Sequence, residues 1–156
     1  MSSLGKGMVA GLIATLVLSA LMIMKAMMGM MPELDLPKMI AGMMGMAGMP
    51  AVGWVVHFII GIVIYGTAIA VLNDRLPGKS AVTHGVVIGI IGWLVMMVAL
   101  MPMAGVGLFG MQLGIMAPMM TLVLHVIFGA VLGWYYGRAV SHDPMRSAHT
   151  RSGKTS

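Results

Sequence analysis

Four apolar runs, each long enough to cross a bilayer, decide what this chain can fold into. They are roughly Gly7 to Met24, Val52 to Leu72, Ala81 to Met101 and Ile115 to Tyr136, and only Lys25 touches the edge of one. At about 1.5 Å per residue, each covers about 30 Å of hydrocarbon as a helix. A backbone in lipid must satisfy its own hydrogen bonds, so such runs are expected to be helical. Composition agrees: a chain that is 60% hydrophobic and 8% charged lacks the polar side chains to face water on all sides. The expected fold class is all-α, an integral membrane four-helix bundle. Residues 1–140 form its transmembrane domain and 141–156 a basic cytoplasmic tail.

The cations set the expected orientation, because positive residues in short loops are retained on the cytoplasmic side. Lys6, Arg75, Lys79, Arg138, Arg146, Arg151 and Lys154 fall at one end of the four-span arrangement, and only Lys25 and Lys38 at the other. Both termini are therefore expected in the cytoplasm, with the protein in a bacterial inner membrane. These cations lie beside the spans or in the tail, without interleaved aromatics, so they read as topology signals and anionic-lipid contacts. Nucleic acid is not an expected partner; the lipid bilayer is. With no cysteines, disulfides, thiolate metal sites and iron-sulfur clusters are excluded. Lys6 ahead of an apolar run also suits a signal peptide, but no small-x-small cleavage pattern follows it, and the repeat described next argues that the segment stays.

Residues 7–24 laid over 85–102 pair Gly7 with Gly85, Val9 with Val87, Gly11 with Gly89, Ile13 with Ile91, Leu16 with Leu94 and Val17 with Val95. Val55, His57, Ile59, Gly61 and Val63 likewise match Val123, His125, Ile127, Gly129 and Val131. Two alignments in the same order point to two duplicated helical hairpins. Hairpins of equal orientation are expected to be related by a pseudo-twofold axis along the membrane normal, which puts His57 and His125 at one depth, each about 20 Å from the cytoplasmic face. The first unit carries an insertion in which Asp35 can cap a short outer interfacial helix, with Leu36, Met39, Ile40, Met43 and Met44 on one stripe.

The runs "AGLIATLVLSALM", "MPELD", "GWVVHFIIG", "RLPG", "MPMAGVGLFG" and "MAPMMTLVLHVIFGAVLGWYYG" resemble a family of small uncharacterised bacterial inner-membrane proteins with four predicted helices. The resemblance covers about residues 7–138. It implies architecture and bacterial origin, and no chemistry.

Gly7, Gly11, Gly85, Gly89, Gly129, Gly133 and Gly137 recur at four-residue steps within their helices, the spacing that lets helix backbones approach in lipid. Trp54, Trp134, Tyr135 and Tyr136 near helix ends read as interface anchors, and Pro102 and Pro118 as helix ends or kinks near the outer face.

A histidine inside a membrane span is a candidate functional residue. His57 and His125 admit two readings. In one, each ring donates to a backbone carbonyl, or to Ser19 or Thr121, and pins helix packing. In the other they ligate a cofactor. The second and fourth helices of an up-down bundle are diagonal, about 11 to 14 Å apart, room for one cofactor between two imidazoles. A b-type haem fits, with His57 and His125 as axial ligands, Gly61 and Gly129 beside the macrocycle and Ser19 as a further candidate cofactor-binding residue. His84, placed like Lys6 at a helix end and expected to be partly solvated, reads as a bystander, as do His142 and His149 in the tail, although His142 with Asp143 makes a weak metal pair.

Nineteen of the 22 methionines fall in Met22 to Met49, Met96 to Met103 or Met111 to Met120, on the expected outer side. Thioethers with imidazole suit copper(I), whereas the ordinary role of methionine is packing. Met24, Met27, Met28, Met31, Met43 and Met46 provide close spacings for such a site.

The leading expectation is thus a haem-binding membrane protein associated with electron transfer. The competing one is an accessory subunit of a larger membrane complex, or a homo-oligomer, with structural histidines. Glu33, Asp35, Asp74 and Asp143 lie in loops or at helix ends, with no serine-histidine-carboxylate or metalloprotease spacing, so enzyme chemistry has no visible basis. With no acid inside a span and no polar stripe, neither has a transporter or channel.

Overall fold

The computed structural model describes residues 1–76, 78 and 80–141. Its helices are α1 (Ser3–Met27), α2 (Leu36–Met43), α3 (Pro50–Leu72), α4 (Ala81–Met103) and α5 (Met116–Ser141), with a 3₁₀ turn at Leu108–Leu113 before α5. Lys79 and the tail residues 142–156, including His142, Asp143 and His149, lie outside the described residues.

Local chemistry starts these helices. The Ser2 hydroxyl accepts the Gly5 N–H at 3.2 Å, Asp35 accepts that of Lys38 at 3.1 Å, and Ser80 accepts that of Val82 at 3.3 Å. Each satisfies a donor that the first turn leaves over. Pro50 opens α3, where a missing N–H removes nothing. α1, α3, α4 and α5 are 23 to 26 residues long and apolar enough to span a membrane. Large apolar side chains such as Val55, Ile59, Ile91, Val95, Val123 and Ile127 are exposed along them, a surface suited to lipid. The protein is a multi-pass membrane helical bundle. One end, the loop end, carries α2 and the 108–113 turn; the other, the terminal end, carries residue 1, the 73–80 link and Ser141.

The four spans do not form a square. α1 packs on α3 and α4 on α5, and the hairpins join chiefly through α1 against α5. The central pair accordingly buries 39% of its apolar windows, against 22% for α3 and 28% for α4. α3 and α5 meet in their terminal halves, where the Tyr65 and Phe128 rings stand edge to face 4.8 Å apart. The diagonal gap expected between these helices is closed there. The core is built from Ala10, Ala14, Leu18, Ile69, Ile88, Phe128, Leu132 and Tyr136. Tyr136 thus belongs to the core and not to an interface belt, whereas Trp134 is exposed, with the Arg138 guanidinium 4.4 Å above its ring.

The glycine ladders are where backbones touch. A Cβ on Gly7 would strike the Gly66 carbonyl, and one on Gly11 the Gly61 carbonyl. In the other hairpin, Gly85 lies against the Gly129 carbonyl and Gly89 against that of His125. These pairings reveal a difference between the repeats. Gly11 and Gly89 are equivalent in sequence, yet the residue facing Gly11 is Gly61 and the residue facing Gly89 is His125. α3 is therefore displaced by one turn along α1 relative to α5 along α4. The ridge on α3 runs through Gly61 and Gly66, five residues apart, with the extra residue absorbed by a π-helical stretch at Ile60–Tyr65. A second π stretch, Met96–Leu100, lies in α4.

Candidate functional site

The slip in register moves the histidines apart. If α1 and α4 are taken as equivalent, His57 stands one turn nearer the loop end than His125, roughly 6 Å at about 1.5 Å per residue. The Tyr65–Phe128 contact fits this offset, because it sets residue 65 of α3 level with residue 128 of α5. The expectation of equal depth fails because depth follows from which glycines interlock, and the two hairpins interlock differently.

His125 has a defined chemical state. Its Nδ1 lies 2.8 Å from the Thr121 carbonyl oxygen, which can only accept, so Nδ1 carries the proton. In the neutral ring Nε2 then bears a lone pair. Thr121 is fixed in turn: its hydroxyl donates to the Ala117 carbonyl at 2.7 Å and accepts from the Trp93 indole N–H at 3.1 Å. The same indole N–H reaches the Pro118 carbonyl at 3.2 Å, tying α4 to the first turns of α5.

His125 lines a cavity of about 350 Å³ at the loop end. α1 contributes Leu18, Met22 and Lys25 to that wall, α2 Leu36, α3 Trp54, and α4 Met96 and Met101. The Asp35 carboxylate and the Lys25 ammonium sit at its α2 side. Lys25 donates to the carbonyls of Met31 and Leu34, and so holds the link from α1 to α2 closed. Met31 has φ 49, a region that side-chain-bearing residues rarely occupy, and the ammonium on its carbonyl helps to hold it there. Asp35 pairs with Lys38 at 2.9 Å. α2 then lies on the start of α3, because Gly53 admits the Pro37 carbonyl.

His57 is not on that wall. It is 6% exposed, its ring stands edge-on to Trp54 at 5.7 Å and to Phe58 at 5.9 Å, and its Nε2 has no partner. It remains within electrostatic range of His125. Ser19 is buried with an unpartnered hydroxyl, one turn beyond the contact of Thr15 with Gly61. Gly61 and Gly129, expected beside a macrocycle, are filled by Thr15 and by the Gly85 backbone respectively. The structure therefore gathers His125, Trp54, Thr121 and several methionines about one space, and leaves His57, Ser19, Gly61 and Gly129 in helix contacts.

At the terminal end, His84 differs from the expected solvated bystander. It is 5% exposed, with Nδ1 3.1 Å from Asn73 Oδ1, and Asn73 in turn donates to Asp74 at 3.0 Å. A second cavity of about 480 Å³ lies beside these residues. Trp93 was not singled out by the sequence, since a mid-span indole carries no signal of its partner. Among the described residues, no three His, Cys, Asp or Glu side chains converge as a metal site would require. A single imidazole lone pair in an apolar space can accept one hydrogen bond or ligate one soft metal.

No curated protein and no solved structure matches the chain. A family model matches residues 1–147, nearly the whole of the sequence. By that match the chain belongs to DUF6789, a family of unknown function.

Proposed function

We propose that this protein holds a small membrane-dissolved molecule in the cavity beneath α2, with His125 as its polar anchor, as a non-catalytic component of a bacterial cytoplasmic membrane. The observation that carries the reading is the fixed tautomer of His125, a residue of an otherwise largely apolar cavity wall, which leaves Nε2 with a free lone pair. Binding sites of this kind combine apolar surroundings with very few placed polar groups, and about 350 Å³ falls at the small end of their range. The weight of Lys and Arg at the terminal end supports a topology with both termini in the cytoplasm and the cavity toward the outer side.

The test is to purify the protein in mild detergent and analyse what accompanies it by native mass spectrometry and organic extraction. A stoichiometric small molecule that is lost in His125→Phe supports the proposal. An empty wild-type protein that also takes up no added amphipath overturns it. One observation favours a second reading: Met22, Met27, Met96 and Met101 line the same cavity as His125, a donor set of the kind that suits copper(I). Metal analysis of the same preparation separates the two. A haem held by His57 and His125 would show there as a Soret band, and an accessory role as a stable co-purifying complex.

A further inference from the structure

We infer that the molecule in this cavity carries a hydrogen-bond donor: it is an amphipath whose head group is a hydroxyl, as in an alcohol, a phenol or a quinol. This rests on the ligand-binding reading above and narrows it.

The argument is an account of the polar valences on the wall. Five side chains there carry nitrogen or oxygen: Lys25, Asp35, Trp54, Thr121 and His125. Lys25 spends two of its three N–H donors on the Met31 and Leu34 carbonyls, and Asp35 accepts from the Lys38 backbone and ammonium. The Thr121 hydroxyl both donates to Ala117 and accepts from Trp93. The neutral acceptor that this leaves without a partner is Nε2 of His125, because its other nitrogen must donate to the Thr121 carbonyl. A ligand that only accepts can meet the remaining Lys25 N–H or the Trp54 indole N–H but leaves Nε2 without a partner. A hydroxyl donates to Nε2 and keeps oxygen lone pairs with which to accept from the Trp54 indole N–H.

Size limits the head. About 350 Å³ is roughly a dozen times the volume a water molecule occupies in the liquid, enough for one substituted ring and a short stretch of chain. Ile23 and Met27 line the cavity and are also exposed, so a longer tail has an exit to the lipid-facing surface between α1 and its neighbours.

The experiment compares 4-hexylphenol with its methyl ether, 4-hexylanisole, which share ring and chain and differ by the methyl group that replaces the donor hydrogen. Binding to the full-length protein in mild detergent is followed by tryptophan fluorescence in a Trp134→Phe background, and the signal is assigned to Trp54 by its loss in Trp54→Phe. One neutral hydrogen bond predicts roughly three- to tenfold tighter binding of the phenol. His125→Phe is expected to bring the phenol to the level of the ether. Equal binding of the two compounds to unaltered His125 protein overturns the donor inference and leaves the cavity reading intact, with no variant needed to show it. Retention of the preference in His125→Phe also overturns it. Failure of both compounds to bind removes the cavity reading and the inference together.

Discussion

Replacing Gly85 by alanine should weaken the α4/α5 hairpin, and the structure says by how much. A Cβ at this position would run into the Gly129 carbonyl and come within 2.6 Å of the Gly133 nitrogen and 2.8 Å of its Cα. An ordinary contact begins at 3.4 Å, so the Gly133 nitrogen alone requires the helices to part by about 0.8 Å, and the Gly129 carbonyl requires more. A gap of about 0.5 to 1 Å forfeits a quarter to a half of the dispersion attraction of the atoms it separates. Overpacking of this kind costs about 1 to 3 kcal/mol, offset by about 0.5 to 1 kcal/mol that alanine gains over glycine inside a helix. The net expectation is a loss of about 1 to 2 kcal/mol. Gly42, within α2, is the control, because an added Cβ there meets nothing within 4 Å. Gly42→Ala should leave stability unchanged or raise it by up to about 1 kcal/mol. Reversible unfolding in mixed micelles with increasing SDS, followed by tryptophan emission, measures both. A Gly85→Ala protein as stable as wild type would refute close backbone approach as the basis of this interface, and so would an equal loss in Gly42→Ala.

Trp93→Phe removes the donor shared by Thr121 and the Pro118 carbonyl. It should cost about 1 to 2 kcal/mol in the same titration, with Trp134→Phe costing less than about 1 kcal/mol; the reverse order would contradict the assignment. Lys25→Met removes the ammonium from the Leu34 and Met31 carbonyls, and Met31 keeps only the Leu34 N–H. Amide hydrogen exchange across residues 29–35 should then accelerate by roughly tenfold, as expected for about 1.4 kcal/mol of lost local stability, while exchange in α5 stays as it was. Unchanged protection in that link would show that Lys25 does not hold it.

The spans were legible because a bilayer-length apolar run has one structural solution, and α2 because Asp35 and the apolar spacing after it state a cap and a face. Helix ends were less so. α1 begins at Ser3, ahead of the apolar run, because Ser2 caps it, and α5 continues to Ser141 beyond the last aromatic residue. The glycine ladders announced that backbones would meet. Which glycine meets which is a property of two helices at once, and neither sequence segment states it. That pairing, with the surplus residue in α3, decides that His57 and His125 stand a turn apart and that Gly61 and Gly129 are occupied. His84 and Tyr136 sit near helix ends, where polarity suggests solvent, yet the Asn73 amide and the core respectively take them in.

The π stretch at Ile60–Tyr65 also sets how the two halves of α3 are clocked about their common axis. One residue corresponds to about 100° of rotation in an ordinary helix. The surplus residue thus acts as a phase shifter: it lets Gly66 and Ile69 address one set of neighbours while Gly53, Trp54 and His57 address another, as though two short helices of different azimuth had been fused. A relative that lacked this residue would point the α2-facing half of the helix elsewhere while every residue type stayed the same. Within the family, chain length between Ile59 and Gly66 is therefore as much a determinant of the cavity wall as any side chain lining it.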